Sequence, residues 1–209
     1  MNRDEPRPSS SEEEAADPVS DVELVTRCQN GDAVAFDELV TRHRTKVFAM
    51  VYNMVRNEQD AWDLAQDGFL KAWKSIGQFR GQSAFYTWLY RIVTNVTIDW
   101  IRKKKIESGT EFDDTIGLGE VEMGAATAPK TEFLPHQKLG HSEIRARIDE
   151  AIGRLSPDHR AVILLKEMDG LQYHEIAEVM DCSIGTVMSR LFYARKKLQA
   201  MLKDVYEQF

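Results

Sequence analysis

Residues 155–199 read LSPDHRAVILLKEMDGLQYHEIAEVMDCSIGTVMSRLFYARKKLQ. Ser156 suits a helix cap, Pro157 the first helical position and Asp158 the positive end of the helix dipole. Val162, Leu164, Leu165 and Met168 follow as an apolar stripe, and Gly170 ends the helix. Tyr173 to Met180 reads as a second, short helix with Ile176, Ala177, Val179 and Met180 apolar. Asp181-Cys182 makes a tight turn, and Ser183 can cap a third helix. Val187, Leu191, Ala194 and Leu198 form its buried face; Thr186, Ser189, Arg190, Tyr193, Lys196 and Lys197 form the other. This is a helix-turn-helix: small Ala177 fits the crossing, and Gly185 allows close approach to a phosphate. A plain hairpin with a solvated basic face is the bland alternative. Cap, small residues and basic face coincide, which favours DNA binding over it.

Outward from this motif the same helical periodicity recurs. Leu24, Val25 and Cys28 make a short stripe stopped by Asn30-Gly31-Asp32. Phe36, Leu39, Val40, Val47, Met50, Val51, Met54 and Val55 predict a long amphipathic helix, broken at Arg56-Asn57-Glu58. Ala61, Leu64, Ala65, Phe69, Ala72, Trp73 and Ile76 form a third stripe. Residues 77–83 contain two glycines and read as a loop. Leu89, Ile92, Val93, Val96 and Trp100 form a fourth stripe ending in Arg102-Lys103-Lys104-Lys105. The pattern resumes at Leu139 and runs through Ile144, Ile148, Ala151, Ile152 and Leu155. No strand-like alternation appears, so the expected fold class is all-α.

Charge divides the chain. The whole has 209 residues and a formal net charge of −7, which on its own argues against a nucleic-acid binder. The average conceals segregation. Residues 1–20 are net −4 and poor in apolar residues, the composition of a disordered tail. Residues 21–106 are net +3, residues 107–137 net −6, and residues 138–209 neutral. From Ser183 to Lys203 there are five cations and no acid. Residues 107–137 lose all periodicity and carry glycines and prolines, so they read as an acidic linker between two helical domains, 21–106 and 138–209. On composition, its acids Glu111, Asp113, Asp114, Glu120 and Glu122 read as part of a solvated tether.

Residues 79–105 read FRGQSAFYTWLYRIVTNVTIDWIRKKK. Aromatic faces stack on unpaired bases and cations follow the backbone. Trp100 belongs to a buried stripe, whereas Phe79, Phe85 and Tyr86 lie in or beside the loop with free aromatic faces. One region suited to duplex and one suited to single strand imply a protein that opens DNA.

These residues carry a resemblance. FRGQSAFYTWLYRIVTN, LSPDHRAVILLKEMDGLQYHEIAEVMDCSIGTV and the Ser189–Arg195 spacing resemble the extracytoplasmic-function sigma factors of bacterial RNA polymerase, in particular the sigma-E-like group. The likeness spans residues 21–205, and two long motifs agree at the expected separation. It implies that Asp21–Lys105 is sigma domain 2 and His141–Val205 sigma domain 4. It implies that the stretch Ala61–Phe79 docks on core RNA polymerase, with exposed Asp60, Asp63, Gln66 and Asp67 as contacts. The loop from Phe79 to Thr87, with Arg80, Ser83, Phe85 and Tyr86, then captures a flipped base of the minus-ten element. Asn95 and Asp99 face the same promoter DNA from the following helix. The helix Ser183–Lys197 reads the minus-thirty-five element through Ser183, Thr186, Ser189, Arg190, Phe192, Tyr193, Lys196 and Lys197. The chain departs from its likeness at Met188 and Tyr193, where such factors carry cations, and at His174, where they often carry Glu. Most relatives are held by an anti-sigma factor, so the resemblance implies that partner as well.

Other chemistries lack their parts. His43, His136, His141, His159 and His174 form no paired motif, so no metal is expected. No phosphate-binding glycine loop occurs, and Ser183 and Ser189 have no neighbouring base. The expectation is a non-enzyme without cofactor. Two cysteines build no disulfide framework. No signal peptide opens the chain and no long apolar run crosses it, so residence in the cytoplasm is expected. A regulator that binds only duplex DNA, and a helix-turn-helix recombinase, are the competing readings. The aromatic loop disfavours the first and the missing catalytic groups the second.

Overall fold

A computed structural model describes residues 19–107 and 141–206. Among the described residues every regular element is helical. Helix α1 (Asp21–Gln29) is capped by the Ser20 hydroxyl, and α2 (Ala33–Val55) by the Asp32 carboxylate. α2 ends at Arg56, whose φ of 57° turns the chain toward α3 (Glu58–Ser75), capped in turn by Asn57. A 3-10 turn, Ile76–Gln78, leads into the loop and then α4 (Phe85–Glu107). α2, α3 and α4 pack on one another around Leu39, Val47, Val51, Met54, Leu64, Leu89 and Val93. Gly68 is the close point of this bundle: a Cβ there would stand 2.7 Å from Val93 Cγ2.

The second domain comprises α5 (His141–Gly153), α6 (Pro157–Glu167), α7 (Tyr173–Val179), α8 (Ile184–Met201) and the short α9 (Lys203–Tyr206). The caps follow the sequence reading: Ser156 accepts from the His159 amide, and Ser183 from the Thr186 amide at 3.1 Å. Gly170 at φ 71° and Asp181 at φ 48° make the two turns. Leu164, Leu165, Ile176, Val187 and Leu191 fill the space between α6, α7 and α8. Ile148, expected in the buried stripe of α5, is 38% exposed.

The expected acidic linker, 107–137, lies outside the described residues except for Glu107, which extends α4 one residue past the expected boundary. The amino-terminal tail lies outside them also. No helix among the described residues is long and apolar enough to cross a membrane.

The two domains pack directly together. α4 lies against α6 and α7, and α2 against α6. Arg160, only 6% exposed, anchors the junction. Its guanidinium donates to the Met54 carbonyl of α2 and to the Ile152, Gly153 and Leu155 carbonyls between α5 and α6. Burial lowers its pKa to about 10, which leaves it charged at neutral pH.

Candidate nucleic-acid interface

The loop after α3 is held from beneath. The Gln29 side chain donates to the Ile76 carbonyl at 3.0 Å and to the Phe79 carbonyl at 2.8 Å. Gly81, at φ 68°, lets the loop reverse, and Arg80 stays exposed at its tip with Ser83 half-buried. The aromatic residues are not free, contrary to the sequence expectation. Phe85 is 4% exposed and packs among His43, Phe79 and Trp88, with ring centroids 5.5 to 6.0 Å away. Phe79 is half-buried in the same cluster, and Thr87 is 2% exposed. The reason is the position of Phe85: it opens α4 rather than ending a loop, so its first turn points into the α2–α4 core. Trp100, expected in the core, is half-buried with Lys104 Nζ 4.3 Å above its ring.

Tyr86 faces the other domain. Its hydroxyl donates to the Glu175 carboxylate of α7, which also accepts from the Gln172 amide. That bond, first among its causes, raises the Tyr86 pKa, while the Gln172 amide and then Tyr86 lower that of Glu175. One turn along, Tyr90 donates to Asp169 at 3.4 Å. Desolvation raises the Asp169 carboxyl to about 6 and pushes Tyr90 upward too. Gln82, Ser83, Thr87, Trp88 and Arg91 form one wall of a crevice whose other wall is Ala177, Glu178, Asp181 and Cys182. Asn95 and Asp99 stand exposed farther along α4.

On α8 the expected residues share the outward side. Ser183, Ser189, Phe192 and Lys196 are exposed, and Thr186, Arg190, Tyr193 and Lys197 half-buried. Two cations are engaged within the protein. Asp158 takes Arg190 at 3.2 Å and Arg102 of α4 at 2.7 Å, while Glu167 takes Arg195 at 2.6 Å.

The α3 surface carries Asp63, Gln66 and Asp67 exposed. Asp60, expected exposed, is half-buried and bonded to Lys104 at 2.9 Å. Sequence reasoning missed the apolar part of this face. Trp62 and Leu70 are about half exposed, and Trp62 stacks on Phe48 at 4.2 Å. With Val40, Arg44, Asp63, Gln66 and Phe69, Trp62 lines a surface groove. The signal was legible: Trp62 and Leu70 stand outside the buried stripe of α3.

Comparison with known proteins places both domains in one family. Residues 39–106 match the Sigma-70 region 2 family, and residues 145–198 match Sigma-70, region 4. The chain is 38% identical over 192 residues to RNA polymerase sigma-H factor of Pseudomonas aeruginosa, covering 88% of this chain and 96% of that one. It is 39% identical over 180 residues to ECF RNA polymerase sigma-E factor of Escherichia coli K12, covering 86% and 93%. Among solved structures, CnrH in complex with the cytosolic domain of CnrY superimposes with a TM-score of 0.61, at 26% identity over 87% of this chain and 96% of that one. The sigma factor RpoE of Bartonella quintana, in complex with the anti-sigma factor NepR, gives 0.56 at 26% identity over 80% and 96%. Both regions are present in order, and the relatives match over nearly their whole length. The chain therefore belongs to the extracytoplasmic-function sigma factors, non-catalytic initiation subunits that bind core RNA polymerase and promoter DNA.

Proposed function

We propose a division of labour among three surfaces of this sigma factor. The α3 face, with Asp63, Gln66 and Asp67 around the Trp62 groove, docks on core polymerase. The loop from Phe79 to Thr87, with Asn95 and Asp99, engages the minus-ten element, and α8 reads the minus-thirty-five duplex. The observation that carries this is the pairing of a capped, acid-free reading helix with a separate open face of acids and apolar side chains. DNA repels carboxylates, so the α3 face suits a protein partner and the α8 face suits DNA.

Within the minus-ten surface the roles divide again. Arg80, Asn95 and Asp99 are accessible, while Phe85 supports the loop from within. Tyr86 becomes available once α7 moves away. The solved relatives carry an anti-sigma factor or a partner's cytosolic domain; by that likeness this chain is held by an anti-sigma factor in the cytoplasm and released by a stress signal.

Transcription in vitro with core polymerase alone tests the reading. Addition of the chain should yield transcripts starting at fixed positions, with permanganate-reactive thymines upstream of the start. A regulator that binds only duplex DNA would yield neither. Combined Asp63→Lys and Asp67→Lys should abolish co-elution with core polymerase while leaving the fold intact.

A further inference from the structure

The reading helix has a face that its cations do not explain. Ile184, Met188 and Phe192 succeed one another at intervals of four along α8 and are 48%, 54% and 61% exposed. Residues so spaced lie on one side of a helix. Scattered exposed apolar residues need no explanation, but three in a row beside Ser189 and Lys196 do.

The cations near this end of α8 are already engaged. Arg190 is drawn back to Asp158 and Arg195 to Glu167. Bidentate reading of guanine depends on a free guanidinium. The groups left to meet base edges at the first turns of α8 are therefore hydroxyls and apolar side chains. In the major groove one base presents an apolar group, the 5-methyl of thymine. The occupant is nucleic acid rather than an apolar protein helix because α8 carries no acid, and Lys196 stands exposed one turn beyond Phe192.

We propose that Met188, flanked by Ile184, is a specificity residue that reads thymine methyl groups in the upstream duplex. Where a cation would bind any sequence through phosphate, Met188 gains only where a methyl is present. The inference rests on the assignment of α8 to the upstream element.

The test uses holoenzyme assembled from core polymerase and the full chain. Duplexes with a randomised upstream region are first selected for binding. Thymines in the selected region are then replaced one at a time by deoxyuridine, which removes the methyl and nothing else. Burial of one methyl corresponds to a loss of about three- to fivefold in affinity. That loss is expected at one or two positions with the natural chain. Met188→Ala should bind the thymine duplex more weakly by a similar factor and respond no further to deoxyuridine. Met188→Lys should recover affinity without the methyl response and with a steeper salt dependence.

Selected sequences without thymine, or full affinity with deoxyuridine throughout, would overturn the proposal. So would a Met188→Ala chain that keeps the methyl response. If scrambling the whole upstream region also changes nothing, the assignment of α8 itself fails. If scrambling still costs affinity, that assignment stands and only the thymine reading falls.

Discussion

The Tyr86 hydroxyl, in the first turn of α4, donates its proton to the Glu175 carboxylate in the first turn of α7. The bond crosses from region 2 to region 4, and Tyr86 is half-buried where it forms. On the role proposed for Tyr86, base capture and docking of α7 compete for one side chain.

Tyr86→Phe separates the two roles. It keeps the ring and removes the donor, and a hydrogen bond to a charged group contributes about 1.5–3 kcal/mol. Small-angle scattering of the free chain should show a larger radius of gyration for Tyr86→Phe than for wild type. Its affinity for a single-stranded minus-ten oligonucleotide should be equal or higher. Tyr86→Ala should open the chain as well but lose the oligonucleotide, because a stacked base is worth about 1–3 kcal/mol. Identical scattering of wild type and Tyr86→Phe would show that the bond does not hold the domains.

Asp169 gives the same interface a pH dependence. Desolvation raises its pKa to about 6 in the docked state, against the ordinary carboxylate value near 4 when the domains part. Tyr90 and Lys46 both face it and favour the charged form, without overcoming burial. The docked state thus holds more protons between pH 4 and 6, so docking is strongest at the acid end and weakens as pH rises through that window. Asp169→Asn, uncharged throughout, should flatten the profile. A wild-type radius of gyration constant from pH 4.5 to 7 would contradict this.

The Asp169 and Glu175 contacts mark where sequence stopped being informative. Caps and stripes are local, so Ser156, Ser183, Gly170 and the helix-turn-helix were legible in one pass. The burial of Phe85 had a signal as well, its four-residue spacing to Leu89 on the α4 stripe, but the glycine-containing loop that runs up to it hides the helix start. Docking of the domains was hidden for a different reason. Its polar members are separated by scores of residues, as Tyr86 is from Glu175, and each looks like an ordinary surface group. Arg160 was the missed clue: a lone cation before the apolar run 161–165 needs buried acceptors.

Gly68 tests the packing of α3 on α4. Alanine is the better helix former by about 1 kcal/mol. Its methyl would nevertheless stand 2.7 Å from Cγ2 of Val93, a stiff and fully buried side chain. Overpacking costs about 1–3 kcal/mol, so the balance is loss. Gly68→Ala should lower the melting temperature, and Val93→Ala added to it should cost less than the sum of the two single changes. Additive effects would mean the helices shift apart instead.

Arg190 and Lys196 should respond differently to salt. Lys196 is exposed with a free path to phosphate, so Lys196→Ala should weaken holoenzyme binding on every sequence. The salt slope should fall by about 0.9. Arg190 begins bound to Asp158. Held there, it contributes neither a free charge nor a base contact, so Arg190→Ala should leave the salt slope and the preference for the selected upstream duplex over a scrambled one nearly unchanged. A loss confined to the selected duplex would make Arg190 a base reader.

Arg160 sets the last expectation, because two effects oppose each other there. Its charge is penalised by burial and, to a smaller extent, repelled by nearby Arg56, and both lower its pKa. Arg160→Met removes that cost and keeps an apolar side chain of similar reach. It also strips donors from the carbonyls of Met54, Ile152, Gly153 and Leu155. Each buried acceptor left without a partner costs about 1–3 kcal/mol, so the lost donors outweigh relief of a single partly screened repulsion. Arg160→Met should therefore destabilise the chain by about 3–5 kcal/mol in urea denaturation. Arg160→Lys keeps the charge but ends in one ammonium, which cannot reach carbonyls on both α2 and the α5–α6 junction. It should recover only part of the loss. Wild-type stability in Arg160→Met would mean that the carbonyls find water and that the guanidinium is a tolerated charge rather than the anchor of the junction.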